Sequence, residues 1–123
     1  MTDAAAGPHT VGRWLADRAV TDGERIAIDD RGVRTGYRTL YARAADLADA
    51  LAAAGYGAGD RVATVSGNST AHVVVFFACA LSGIAFVPLS WRLTPVELGS
   101  LIARTDPALL LVEDEHDALA RAA

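Results

Sequence analysis

Apolar positions recur at helical spacing from Thr10 to Val20, where Val11, Trp14, Leu15 and Ala19 share one face and Arg13, Asp17 and Arg18 the other. Arg25 to Asp29 and Val33 to Tyr37 are short strand-like runs on either side of Asp30-Arg31-Gly32, a pattern that predicts a β-hairpin. From about Thr39 to Ala54 the set Leu40, Ala44, Leu47, Ala48 and Leu51 marks a second helix face, and Gly55 supplies its stop. Beyond it, Arg61 to Ser66, Ile84 to Leu89 and Ala108 to Val112 are uniformly apolar or nearly so, as strands covered on both faces are. Between them lie a buried helix, Ser69 to Leu81, and a helix ending near Thr105 whose start is marked by Thr94 at the N-cap, Pro95 at the first helical position and Glu97. A polar turn, Glu113 to Asp117, and a short final helix complete the pattern. From Leu40 onward helix and strand alternate, which predicts an α/β fold: a partial three-layer arrangement of a mainly parallel sheet flanked by helices, with the short N-terminal hairpin added.

No Asp, Glu, Lys or Arg occurs from Val62 to Trp91, a length sufficient for a membrane span. The run is cut by Ser66-Gly67-Asn68-Ser69-Thr70, by Ser82-Gly83 and by Pro88, so short buried elements explain it better than one spanning helix.

The 123 residues suffice for one core, and with 52% hydrophobic and 21% charged residues the chain is too apolar for intrinsic disorder. About a fifth of it is alanine. The net charge of −4 provides no basic footprint for nucleic acid or an anionic membrane. All eleven basic residues are arginines, so any chemistry that requires an ammonium group, such as a phosphate-loop lysine or a Schiff base, has no residue here to perform it. A single cysteine, Cys79, fits a reducing compartment, and Met1 to Thr10 lacks the charged start and apolar run of a secretory signal. A cytoplasmic protein is expected.

Motifs narrow the chemistry mostly by exclusion. Gly55-Tyr56-Gly57-Ala58-Gly59 looks like a dinucleotide loop but leaves a helix and enters a strand, the reverse of what phosphate binding at a helix N-terminus requires. It reads instead as a helix stop and a turn capped by Asp60. Asp29-Asp30 resembles the acidic pair of a phosphate-receiver domain, yet Pro88-Leu89-Ser90 stands where an acceptor aspartate is needed and the lysine is missing. His72 and Cys79 are separated by a helical rise of about 10.5 Å, too far for a thiol–imidazole pair, and Cys79 reads as a core residue. His9, His72 and His116 share no metal-ligand spacing; His116 with Asp114 and Asp117 offers at most an adventitious cation site, so no metal centre is expected. Ser66 to Thr70 has the right polarity for a ligand loop, between a strand and a helix at the carboxyl edge of the sheet, and makes Asn68 and Ser69 candidates. Trp91 and Arg92, an aromatic beside a guanidinium, form the second candidate pair; an ordinary helix cap is the bland reading of the first pair and packing that of the second.

Taken in order, Tyr37 to Leu40, the helix through Leu51, Gly59-Asp60-Arg61-Val62-Ala63, Gly67-Asn68-Ser69, Gly83 to Leu89 and Trp91 to Leu98 resemble the opening of an AMP-forming acyl-CoA synthetase, of the adenylate-forming superfamily. The resemblance covers about Thr10 to Glu115. It implies activation of a carboxylic acid by ATP to an acyl-adenylate, with magnesium, followed by transfer to a thiol, usually coenzyme A. The family's Ser/Thr/Gly-rich loop with its lysine, its ribose-binding aspartate and its mobile C-terminal lysine have no counterpart here. No catalytic residue carries over, and no cofactor is expected to bind this chain alone. The expected organisation is a flexible tail, 1–9, followed by an incomplete N-terminal portion of the AMP-binding large domain, 10–123. The alternative is a non-enzymatic α/β module that self-associates or docks on a complementary ligase segment.

Overall fold

The computed structural model describes residues 10–123, so the tail expected at 1–9 lies outside the described residues. Its elements run α1 (Val11–Thr21), β1 (Ile26–Asp30), β2 (Val33–Gly36), α2 (Tyr37–Ala53), β3 (Arg61–Val65), α3 (Thr70–Ser82), β4 (Ala85–Leu89), α4 (Pro95–Thr105), β5 (Leu109–Val112), a 3-10 turn (Asp114–His116) and α5 (Asp117–Ala122). β1 and β2 form the antiparallel hairpin; β3, β4 and β5 form a parallel sheet in the order β4-β3-β5. The α/β expectation therefore holds, hairpin included.

β3 is the axis of the molecule. Val62, Ala63 and Val65 are fully buried and Thr64 nearly so, and their alternation sends Val62 to one side of the sheet and Ala63 and Val65 to the other. On the first side Val62 packs with Ala78 and Cys79 of α3 and Leu51 of α2. α1 closes that side by setting Leu15 against Leu40 and Ala44 of α2 and Val74 and Phe77 of α3. On the second side Ala63 and Val65 share a cluster with Leu89 of β4 and Leu98 of α4, with Leu119 of α5 at the margin. No helix among the described residues is long and apolar enough to cross a membrane. The uncharged run is a strand, a helix and a strand, as its turn residues indicated.

The hairpin is one residue shorter than its pattern suggests, because Tyr37 opens α2 instead of extending β2. A helix start leaves its first N–H groups without intrahelical partners. Here Tyr37 N–H donates to the Arg25 carbonyl (3.0 Å) and Arg38 N–H to the Gly23 carbonyl (3.0 Å), so the loop before β1 does the work of a side-chain cap. Gly36 is the N-cap, and a Cβ there would stand 3.1 Å from the Gly23 carbonyl oxygen. The start of α4 follows its sequence signature: Thr94 Oγ1 accepts from Glu97 N–H (3.2 Å) while Glu97 Oε1 accepts from Thr94 N–H (3.0 Å). The glycine-rich stretch is the expected helix stop and turn, in which the Asp60 carboxylate accepts from Gly57 N–H (2.8 Å) and Gly55 and Gly59 take φ of 97° and 91°.

Candidate functional site

The chain passes from β3 to β4 through α3, and from β4 back across β3 to β5 through α4. Right-handed crossovers in opposite directions put α3 and α4 on opposite faces, so the loops after β3 and β4 part from each other at the carboxyl edge. A crevice opens at such a point. It is a cleft of about 700 Å³ whose wall includes Ser66, Gly67, Asn68 and Ser69 after β3, Ser90, Trp91 and Arg92 after β4, and Glu113 and His116 after β5. All four candidates, Asn68, Ser69, Trp91 and Arg92, line this one cleft.

Most of these side chains have structural work. Ser69 is the N-cap of α3, its hydroxyl accepting from His72 N–H (3.2 Å). Asn68 is exposed at the cleft wall. Trp91, 40% exposed, stacks on His116 with ring centroids 5.1 Å apart and planes 9° from parallel. The Arg92 guanidinium carbon lies 4.7 Å from the centre of the same indole, within cation–π range. His116, expected in a solvated turn, is instead 13% exposed at its side chain and ties the end of β5 to the loop after β4.

Two carboxylates hold the loop after β3. Glu113 Oε1 accepts from Gly67 N–H (3.2 Å), and its other oxygen accepts from the Ser66 hydroxyl (3.4 Å). At the other end Asp30 Oδ2 accepts from Thr70 N–H (3.2 Å) and from its hydroxyl (3.4 Å), so the hairpin caps α3. The Gly67 amide is the main reason the Glu113 carboxyl is held below its ordinary range. Beneath the loop, His72 Nε2 and Thr64 Oγ1 are 2.9 Å apart, which satisfies the buried hydroxyl of β3. Cys79 is fully buried, and burial pushes its thiol up, as befits a core residue.

The cation partners of His116 differ from those its sequence neighbours suggested. Glu113, Glu115 and His116 each bring a ligand atom within 4.8 Å of the others, whereas Asp117 pairs with Arg121 (2.8 Å). The trio could hold a divalent cation, but Glu113 is already committed to Gly67. Arg31, Glu113 and His116 line the cleft beyond the four candidates, and Asp30 anchors the start of α3 from the hairpin; pattern reading placed none of them there. A signal for Glu113 existed: it follows a strand directly, at the same carboxyl edge as Ser66 and Ser90.

Residues 15–123 match the family model described as AMP-binding enzyme. A feruloyl-CoA synthase from Amycolatopsis is 37% identical over 106 residues, covering 86% of this chain and 22% of the relative. A fatty acid–[acyl-carrier-protein] ligase from Streptomyces coeruleorubidus is 39% identical over 79 residues, covering 64% of this chain and 15% of its own length. Among solved structures, a Mycobacterium tuberculosis fatty acyl CoA synthetase superposes with a TM-score of 0.87 at 27% identity, over 92% of this chain and 23% of that one. The chain thus spans about a fifth of the length of these relatives. With the ordered sequence segments, the parallel sheet and the family match all in agreement, the chain belongs to the AMP-binding enzyme family.

Proposed function

We propose that the chain is the N-terminal portion of an AMP-forming acid–thiol ligase, one that activates a carboxylic acid as its acyl-adenylate with ATP and passes the acyl group to a thiol such as that of coenzyme A. Alone, the chain catalyses none of this. The observation that carries the reading is the family match from residue 15 to residue 123 in a chain covering 22% of a feruloyl-CoA synthase. That name and the acyl-carrier ligase's support a carboxylic acid as the substrate class.

The donor set of the cleft supports the second half of the proposal. A nucleoside triphosphate needs free N–H groups and cations. At the start of α3, Thr70 N–H is taken by the Asp30 carboxylate and His72 N–H by Ser69. Glu113 and Glu115 set two negative charges in the wall against the guanidinium groups of Arg31 and Arg92, so the wall carries no net positive charge, and no lysine exists to add one. The residues present do not fit ATP and its magnesium, and no adenylation step is derived through them. The role left to this portion is architectural: Pro88 and Leu89 of β4 and His72 of α3 line the cleft from the sheet and the helix, and the Trp91–His116 stack fixes one side of it.

ATP–pyrophosphate exchange with a panel of aliphatic and aromatic acids tests the claim of inactivity. The expected result is no acid-dependent exchange by the purified chain; exchange that rises with any acid and is abolished by omitting it overturns the claim.

A further inference from the structure

Three side chains with metal-ligating atoms converge in the turn after β5. His116 Nε2 lies 3.5 Å from a carboxylate oxygen of Glu113 and 3.6 Å from one of Glu115. No other group of three His, Cys, Asp or Glu side chains among the described residues is placed to share an ion. Two carboxylates held this close repel each other unless a positive charge stands between them. Among the described residues neither pairs with an arginine; Arg92, on the same wall of the cleft, lies over the indole of Trp91 instead.

The imidazole separates this trio from an ordinary acidic patch. Its ring lies 9° from parallel on Trp91 and its side chain is 13% exposed, so Nε2 is held facing the two carboxylates. The His116 N–H donates to the Glu113 carbonyl (2.8 Å), which closes the turn and fixes the spacing of its residues. Spacing and donor type then select the ion. Zinc binds nitrogen and oxygen at about 2.0 to 2.2 Å, which sets two ligands of a tetrahedral site about 3.4 Å apart. The separations of 3.5 and 3.6 Å are close to that. Magnesium prefers oxygen and keeps much of its water, whereas imidazole suits zinc and its transition-metal neighbours. The bond from Gly67 does not exclude an ion. A carboxylate oxygen carries two lone pairs, of which Glu113 Oε1 uses one on Gly67 N–H, and outer bonds of this kind commonly orient a ligating carboxylate.

We propose that Glu113, Glu115 and His116 form a binding site for one divalent transition-metal ion of the zinc class, with its fourth position open to the cleft. Three protein ligands leave a tetrahedral ion one position for water or for a molecule in the cleft, and all three residues line that cleft. The ion would cancel the two carboxylates and leave the wall with the positive charge of Arg31 and Arg92. Histidine spacing could not reveal the site, because it takes one histidine and two glutamates. The site stands apart from the ligase reading and does not depend on it.

Calorimetric titration of the 123-residue chain with zinc and with magnesium chloride near neutral pH tests this, with NMR shifts locating the ion. One zinc should bind per chain, at least about tenfold more tightly than magnesium, with shifts centred on residues 113–116. Glu115→Gln, at a side chain 71% exposed, should weaken zinc binding about tenfold and leave the unfolding midpoint unchanged. His116→Asn should weaken it at least as much; if that variant fails to fold, Glu115→Gln decides the matter. Asp114→Asn removes the same charge from the same turn but no ligand atom, and should leave the affinity within about twofold. No zinc binding, zinc no tighter than magnesium, shifts centred elsewhere, or equal losses from Asp114→Asn and Glu115→Gln, the mark of an adventitious ion on an acidic turn, overturns the proposal. The ligase reading fails separately, in the pyrophosphate exchange assay.

Discussion

Glu113 is the residue on which the shape of the cleft turns. Its carboxylate spans Gly67 N–H and the Ser66 hydroxyl, and His116 Nε2 lies 3.5 Å from it. Glu113→Gln keeps the size of the side chain and gives up its charge; with a hydrogen bond to a charged group at stake, the expected loss is about 1 to 2 kcal/mol of unfolding free energy, read from urea denaturation near neutral pH. The pH dependence has a definite sign. The Gly67 amide lowers the Glu113 value in the folded chain from its ordinary 4.5, so the contribution is fully present above that value and is lost as pH falls through the lowered one. Glu113→Gln should therefore narrow the stability difference between neutral and acid solution, and an unchanged difference would remove Glu113 from the account. Little of this was legible in the chain: Glu113 and Gly67 are 46 positions apart, and Asp30 and Thr70 are 40 apart. Periodicity reports which face of an element is buried, not which polar side chain crosses to another element. Ser69 and Trp91 could be picked out because they lie in the short loops that follow strands, while the stacking partner of Trp91 lies in a turn whose acidic composition suggested solvent.

At the scale of elements, sequence and structure agree wherever local chemistry is strong. The α4 capping box, the Gly83 stop of α3 at φ 70° and the Asp60-capped turn all stand at the residues that announce them. The exception is the β2–α2 junction, where the donors of Tyr37 and Arg38 are satisfied by carbonyls more than ten residues upstream and no local cap signals the change. α4 shows how one residue can secure a whole element. Leu98 is its one fully buried side chain and packs against Ala63, Val65 and Leu89 of the sheet. Leu98→Ala should cost about 2 to 5 kcal/mol, the range for a leucine that leaves a cavity. Denaturation with circular dichroism measures it, and a loss well under 1 kcal/mol would show that α4 is held by its cap rather than by its core contact.

For the whole molecule, the alternation of helix and strand was enough to foresee a parallel sheet, but not its order. The placement of β5 on the far side of β3 creates the cleft and brings the turn after β5 into its wall. Both features bear on the proposal that the chain supplies part of a larger ligase. The most direct measurement of that claim exchanges the matching stretch of the Amycolatopsis feruloyl-CoA synthase for residues 15–123 of this chain and assays acid-dependent ATP–pyrophosphate exchange with ferulic acid. A folded chimaera that catalyses the exchange is the predicted result; a chimaera that folds with the stability of its parent and catalyses none contradicts the account.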